Sequence, residues 1–341
     1  MMRPVIIAQI GVGNWGRALL RNFSSLERVR VKTVCDANSG ILEKVRSEHP
    51  QSTLTTNHED ILKDEQIEAV VIATPSPEHA RLVNLTLNAG KHVFVEKPMA
   101  MTTSDAEQIV KLASQRKKIV MVGHLLRYHP AYQKVVEIIE SGELGEVYYM
   151  YSTRVNLGVY RETENALLSL APHDITTAFM YLGDKALAVS ARGNSYLKLG
   201  IEDVVFADIE FENNRMAHLH VSWLDPHKMR KATIVGSKKM AVIDDMEPSE
   251  KVKIYDKGFT APKEYASYGE ALAIRGGSVV SPYIKMVEPL KLECQHFVDC
   301  IRNGKVPLTD GADGLRVVEV LEAAQRSLKE FGRRISLNAI D

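Results

Sequence analysis

Three glycines, Gly11, Gly13 and Gly16, follow directly on the apolar run Ile6-Ile7-Ala8-Gln9-Ile10. At this spacing the first permits a tight turn, the second lets the backbone approach a pyrophosphate, and the third lets a helix pack closely on the strand before it. Asn14 and Trp15 lie in the turn that opens that helix, whose free amide groups and positive dipole end suit an anion. Asp36 ends the next apolar run, 20 residues after Gly16. A carboxylate there accepts hydrogen bonds from the ribose 2′-hydroxyl of NAD and repels the 2′-phosphate of NADP. With 21 glycines in 341 residues, the glycine spacing alone arises by chance about 0.08 times per chain, and the acid at its proper distance lowers that to about 0.01. The expectation is NAD, favoured over NADP, held by Gly11, Gly13, Asn14, Trp15, Gly16 and Asp36. A tight strand-to-helix turn without a ligand is the competing reading.

Lys97 is the second chemical group. It comes just after the apolar run His92–Val95 and just before Pro98. Ligands of open α/β sheets bind at the carboxyl ends of the strands, and a following proline biases Lys97 toward an extended, fixed backbone.

Residues 1–123 supply the frame that such groups need. The short apolar runs Val5–Ile10, Val29–Cys35, Ala69–Ala73, His92–Val95 and Ile119–Val122 read as strands buried on both faces of a parallel sheet. Helical patterns lie between them. One starts at Ser76-Pro77 and stops at Gly90, and another follows Ser104-x-x-Glu107, which fits a capping box. This alternation predicts an α/β domain with a doubly wound parallel sheet. After Gly123 the pattern changes. A helix over Pro130–Ser141 precedes strand-like runs at Val147–Asn156, Ala186–Arg192, Val204–Glu212, Arg215–Trp223, Ala232–Val235, Met240–Ile243 and Val252–Tyr255, with one long helical pattern, Asn165–Leu182, among them. Helices return from Glu288 to Gly304 and from about Asp313 to Phe331. Residues 124–341 are therefore expected to form an α+β domain around a large, open, mainly antiparallel sheet, with the C-terminal helices free to pack back on the first domain.

Thr74-Pro75, His79 and then Glu96-Lys97-Pro98, following the glycine motif, resemble the Gfo/Idh/MocA family of oxidoreductases over nearly the whole chain. The resemblance implies an N-terminal Rossmann domain, cofactor contacts from Thr74, Pro75, His79, Glu96 and Lys97, and a second domain whose sheet is often used for oligomerisation. It also implies pocket roles for Arg127, Tyr128 and the later His173, and a Lys97–Pro98 bond that is often cis. Free lysine titrates near 10.4, so acting as a base at about pH 7 would need a fall of about three units, whereas histidine titrates near 6.5. His173 is accordingly assigned as general acid/base and Lys97 as the cation that orients the hydroxyl and stabilises developing alkoxide. The family often carries an acid four residues before this histidine, and here Ser169 stands in its place.

Arg127-Tyr128-His129-Pro130, the run Ser169-Leu170-Ala171-Pro172-His173-Asp174, and Glu288-Pro289-Leu290 with Glu293-Cys294 look like members that oxidise nucleotide sugars, of the UDP-N-acetylglucosamine 3-dehydrogenase type. A diphosphate needs cations, and Arg127, Arg154, Arg161 and the acid-free basic stretch from His227 to Lys239 are candidates. Polyol or free-sugar dehydrogenases of the inositol type, a 3-keto-sugar reductase and a non-catalytic NAD sensor are the alternatives.

Composition narrows the field. Lys plus Arg and Asp plus Glu both number 43, so bulk charge gives no support for a nucleic-acid or membrane-surface partner. The longest run without Asp, Glu, Lys or Arg is Pro4–Gly16, too short to span a bilayer, and no signal peptide is read. Three scattered cysteines make neither a disulfide framework nor a zinc site, and His218-x-His220 lacks a third metal ligand. A cytoplasmic enzyme with a small-molecule sugar substrate, no metal, and a homodimeric or homotetrameric state is expected.

Overall fold

The computed structural model describes residues 3–158, 161, 164–260 and 273–337. The chain divides into two compact units: one comprises the residues up to Tyr128 together with Val287–Glu319, the other His129–Met286 and the residues from Val320 onward.

In the first unit β1 (Val5–Ile10), α1 (Asn14–Ser24), β2 (Val29–Cys35), α2 (Ser39–Glu48), β3 (Thr53–Thr55), α3 (Glu59–Leu62), β4 (Ala69–Ile72), α4 (His79–Asn88), β5 (His92–Val95), α5 (Thr103–Arg116) and β6 (Val120–Val122) alternate along the chain. The six strands are all parallel, in the order β3-β2-β1-β4-β5-β6. This order reverses between β1 and β4, and the carboxyl ends of those strands are where a dinucleotide binds. Every residue of β4 is buried, as strands covered on both faces require. β3 is only three residues of Thr-Leu-Thr at the sheet edge, too short and polar to give a periodic signal.

Two helix starts differ from the sequence expectation. Residues Ser76–Glu78 form a 3-10 turn, and the α-helix begins at His79. The cap of α5 is Thr102, not Ser104: Thr102 is extended at φ −131°, and its hydroxyl accepts the Asp105 amide at 3.1 Å.

The second unit contains α6 (Pro130–Glu140), β7 (Val147–Val155), α7 (Ala166–Leu182), β8 (Ala186–Asn194), β9 (Val204–Phe211), β10 (Arg215–Ser222), β11 (Met229–Gly236), β12 (Met240–Asp244), β13 (Val252–Tyr255), β14 (Gly258–Thr260), β15 (Ala273–Arg275), β16 (Val279–Val280) and, near the end of the chain, β17 (Ile335–Ser336). Nine strands make one sheet in the order β16-β13-β12-β11-β7-β10-β9-β8-β17, antiparallel except for the β7–β10 pair. The almost wholly buried α7 packs on β7, β9 and β10.

The segment from Val287 returns to the first unit. Leu290, Cys294, Phe297 and Val298 of α8 (Pro289–Asn303) join Phe23 and Phe94 in one apolar cluster, with the three phenylalanine rings edge to face at 5.7–6.2 Å. Helix α9 (Gly311–Lys329) belongs to the first unit up to Glu319 and to the second from Val320. Among the described residues no helix is long and apolar enough to cross a membrane.

Candidate active site

The turn between β1 and α1 shows which glycines the fold itself demands. Gly11 has φ +91°, and a Cβ there would lie 2.5 Å from the Ala73 carbonyl oxygen; one on Gly16 would lie 2.4 Å from that of Gly11. A Cβ on Gly13 would meet none of the described atoms within 4 Å, so packing within the chain does not demand glycine there, and the position is open to a ligand that approaches the backbone. Gly13 caps α1 without a side-chain hydrogen bond, which leaves the first amides of the helix for an anion. Buried Gln9 fixes the turn from below, its Nε2 donating to the carbonyls of Gly11 at 2.9 Å and Gly16 at 2.7 Å. Asp36 stands beside it: Oδ2 accepts the Val12 amide and Oδ1 the Asn38 amide, both at 2.9 Å. These residues fit NAD: Gly13 and the first amides of α1 would hold its pyrophosphate, and Asp36 its ribose.

Around this turn the first unit gathers the other expected cofactor residues. The Trp15 indole, in the glycine turn, donates to Glu96 Oε1 at 2.5 Å, and the Lys97 amide donates to Glu96 Oε2 at 3.2 Å. Gly123 makes room for this carboxylate, because a Cβ there would be 2.9 Å from Glu96 Oε1. Burial pushes Glu96 up to about 7, against the opposing pull of Trp15 and Lys97. The Lys97–Pro98 bond is cis. His79 is buried, and its ring nitrogens lie 2.7 Å from the Pro98 carbonyl oxygen and 2.9 Å from that of Thr74, which precedes Pro75.

Arg127 and Tyr128 sit deeper. Arg127 lies 3.6 Å from buried Asp313, which also meets His124 at 2.9 Å and Arg316 at 3.1 Å. Burial alone would raise the Asp313 carboxyl, but His124, Arg127 and Arg316 hold it below the usual range. The Tyr128 hydroxyl is 3.0 Å from Thr309 Oγ1, and burial pushes it well up.

In the second unit Asn165 caps α7, and Ser169 and His173 stand one turn apart along it, with Ser169 buried and His173 partly so. Pro172 interrupts the helical amide ladder; Thr176 and Thr177 donate to the carbonyls of Pro172 and His173 at 2.7 and 2.9 Å. Asp174 pairs with Arg154 at 2.6 Å, and both are buried. Arg154 therefore has its charge matched within the fold. Next along this region, His129 caps α6 through Nδ1 and meets Asp245 through Nε2 at 3.3 Å. Burial would raise Asp245, but His129, Lys251 and Arg230 bring it down to about 2. Other candidate cations are also paired: Arg161 with Glu164 at 3.2 Å, Arg230 with Asp245 at 3.6 Å and Lys239 with Glu143 at 2.9 Å. His218 meets Asp208 at 2.8 Å, and His220 stacks on Phe206.

Gln9, Thr309, Asp313 and Asp245 were not singled out by sequence, and Glu293 entered only as part of the Glu293-Cys294 run, with no role of its own. Gln9 had a signal, being the one polar residue in β1. Glu293 had another, lying on the same helical stripe as Leu290, Cys294 and Phe297; it is wholly buried and its carboxyl is raised by that burial and by Glu96.

Two family models match: the oxidoreductase family with an NAD-binding Rossmann fold over residues 5–124, and the GFO/IDH/MocA C-terminal domain over residues 132–242. Among relatives, scyllo-inositol 2-dehydrogenase (NAD(+)) of Bacillus subtilis (strain 168) is 26% identical over 96% of this chain and 95% of its own. Among solved structures, GenD2 from gentamicin A biosynthesis in complex with NAD is 24% identical with a TM-score of 0.84, covering 99% of this chain and 98% of that one. UDP-N-acetylglucosamine 3-dehydrogenase GnnA from Acidithiobacillus ferrooxidans is 21% identical with a TM-score of 0.81, covering 97% and 99%. With its dinucleotide turn, Asp36 and both domain matches in place, the chain belongs to the Gfo/Idh/MocA family of NAD-dependent oxidoreductases.

Proposed function

We propose that the protein oxidises a secondary alcohol of a sugar, C3 of a nucleotide-linked hexose such as UDP-N-acetylglucosamine, with Lys97 and His173 as its catalytic residues. The observation that carries this is the hydrogen-bonded path from the glycine turn through Trp15 and Glu96 to the Lys97 amide, which ties the lysine to the dinucleotide site. Bound NAD supplies the hydride acceptor. Lys97 orients the carbinol and stabilises the alkoxide as it forms; His173 takes the hydroxyl proton. Ser169 gives His173 a neutral neighbour one turn away, where an acid would have added charge. Arg154 and Tyr128, each already bonded inside its own unit, hold α7 and the segment after β6 in place, and Arg127 does so through Asp313.

A polyol substrate is the second reading, favoured by the likeness to scyllo-inositol 2-dehydrogenase. NADH formation with NAD and a panel of nucleotide sugars, free sugars and inositols separates the two. Preference for UDP-N-acetylglucosamine supports the first reading; preference for an inositol supports the second; no reduction of NAD by any of them contradicts both.

The proposal includes a homodimer or homotetramer in the cytoplasm. One face of the large sheet leaves Tyr149, Tyr151, Phe206 and Met216 39–46% exposed, a surface suited to burial against a second copy. Light scattering tests this, and a monomeric mass would contradict it.

A further inference from the structure

His79 is not among the catalytic groups above, yet both nitrogens of its buried ring are engaged. It opens α4, is 1% exposed, and faces two backbone carbonyl oxygens, Pro98 through Nδ1 at 2.7 Å and Thr74 through Nε2 at 2.9 Å. A carbonyl oxygen only accepts. A neutral imidazole has one N–H and one lone pair, so it can satisfy only one of these contacts and would set its lone pair against the other oxygen. The ring is too buried for bulk water to relieve that repulsion. Both contacts are hydrogen bonds only when both nitrogens carry protons.

The two oxygens belong to different loops. Thr74 follows Ala73, whose carbonyl oxygen bounds Gly11 of the dinucleotide turn. Pro98 follows Lys97. We propose that His79 is a permanently protonated positioning residue, an imidazolium that staples the loop after β4 to the loop after β5 and so sets Lys97 against the cofactor turn. This rests on the catalytic reading of Lys97. The charged groups on the surrounding segments have other partners. Glu78 is paired with Arg81 at the surface, Glu96 accepts from Trp15 and the Lys97 amide, and Asp105 of α5 is bound by Thr102. The imidazolium is held by carbonyl dipoles; Arg81, two residues on, is paired with Glu78, and Lys97 directly precedes Pro98.

The direct test is nitrogen NMR of the full-length protein labelled at the histidine rings. His79 should show two N–H-type nitrogens from about pH 6 to pH 8, through the range where an ordinary histidine loses its proton. One pyridine-type nitrogen on His79 at about pH 7 would overturn the proposal. The resonance is assigned by its absence in His79→Gln or, if that variant does not fold, by ring-to-Cβ correlations in the wild type. A folded His79→Gln keeps one donor side only. Its kcat should fall about 10- to 100-fold, since a small misplacement of a reacting group costs that much, and wild-type kcat would also count against the staple. The ring spectrum is read without turnover, so it stands apart from failure of the substrate assay or of the role given to Lys97.

Discussion

The surroundings of the dinucleotide turn and of α7 are built from different materials. Around the dinucleotide turn the first unit uses backbone: three glycines, helix-end amides and the amides that hold Asp36 and Glu96. Around α7 the second unit uses buried charge: Arg154 with Asp174, and His129 with Asp245. A backbone site is specified by short local spacing. A charge-paired site depends on residues far apart in sequence, and it carries a large penalty if one partner is lost.

The sharpest way to break this comparison is Asp174→Asn. It leaves the Arg154 guanidinium buried without its partner and should destabilise the second unit by about 3–5 kcal/mol in a denaturant melt. A change below about 1 kcal/mol would mean that the pair is not buried as described. In the first unit the contrast lies between two glycines. Gly11→Ala forces a side chain onto a left-handed backbone against Ala73 and should lower stability by about 1–3 kcal/mol. Gly13→Ala should melt within about 0.5 kcal/mol of wild type while binding NAD far more weakly. Equal melting of the two variants would sink the assignment of separate roles.

Asp36→Ser should weaken NAD binding about tenfold and narrow the preference over NADP, measured by titration of each cofactor. The smallest expected effect is a pH slope. The Glu96 carboxyl titrates near 7 in the fold and lower in the unfolded chain, so the folded state binds the extra proton and stability falls as pH rises from the ordinary carboxylate range through about 7. Glu96→Gln should flatten that slope; an unchanged slope would assign it to other groups.

This division also explains what could be read from sequence. Gly11, Gly13, Gly16 and Asp36 announce the cofactor turn because four positions within one strand–helix–strand unit suffice. The strands around it showed as short apolar runs, while Thr53–Thr55 gave none. Arg154, a candidate cation for a diphosphate, pairs with Asp174, a partner the sequence did not name, because β7 and α7 meet only in the folded chain. The return of Leu290, Cys294 and Phe297 to the first unit was likewise open in the sequence: an amphipathic helix shows that it buries a face, not against what.

The central proposal is that Lys97 and His173 are the catalytic residues of an NAD-dependent oxidation of a sugar alcohol. Single-turnover NADH formation with the best substrate of the panel, compared among wild type, Lys97→Met and His173→Asn, tests it most directly. Each variant should lose about 10³-fold in rate at saturating NAD, with His173→Asn binding NAD as wild type does. Wild-type rates from either one would contradict the account.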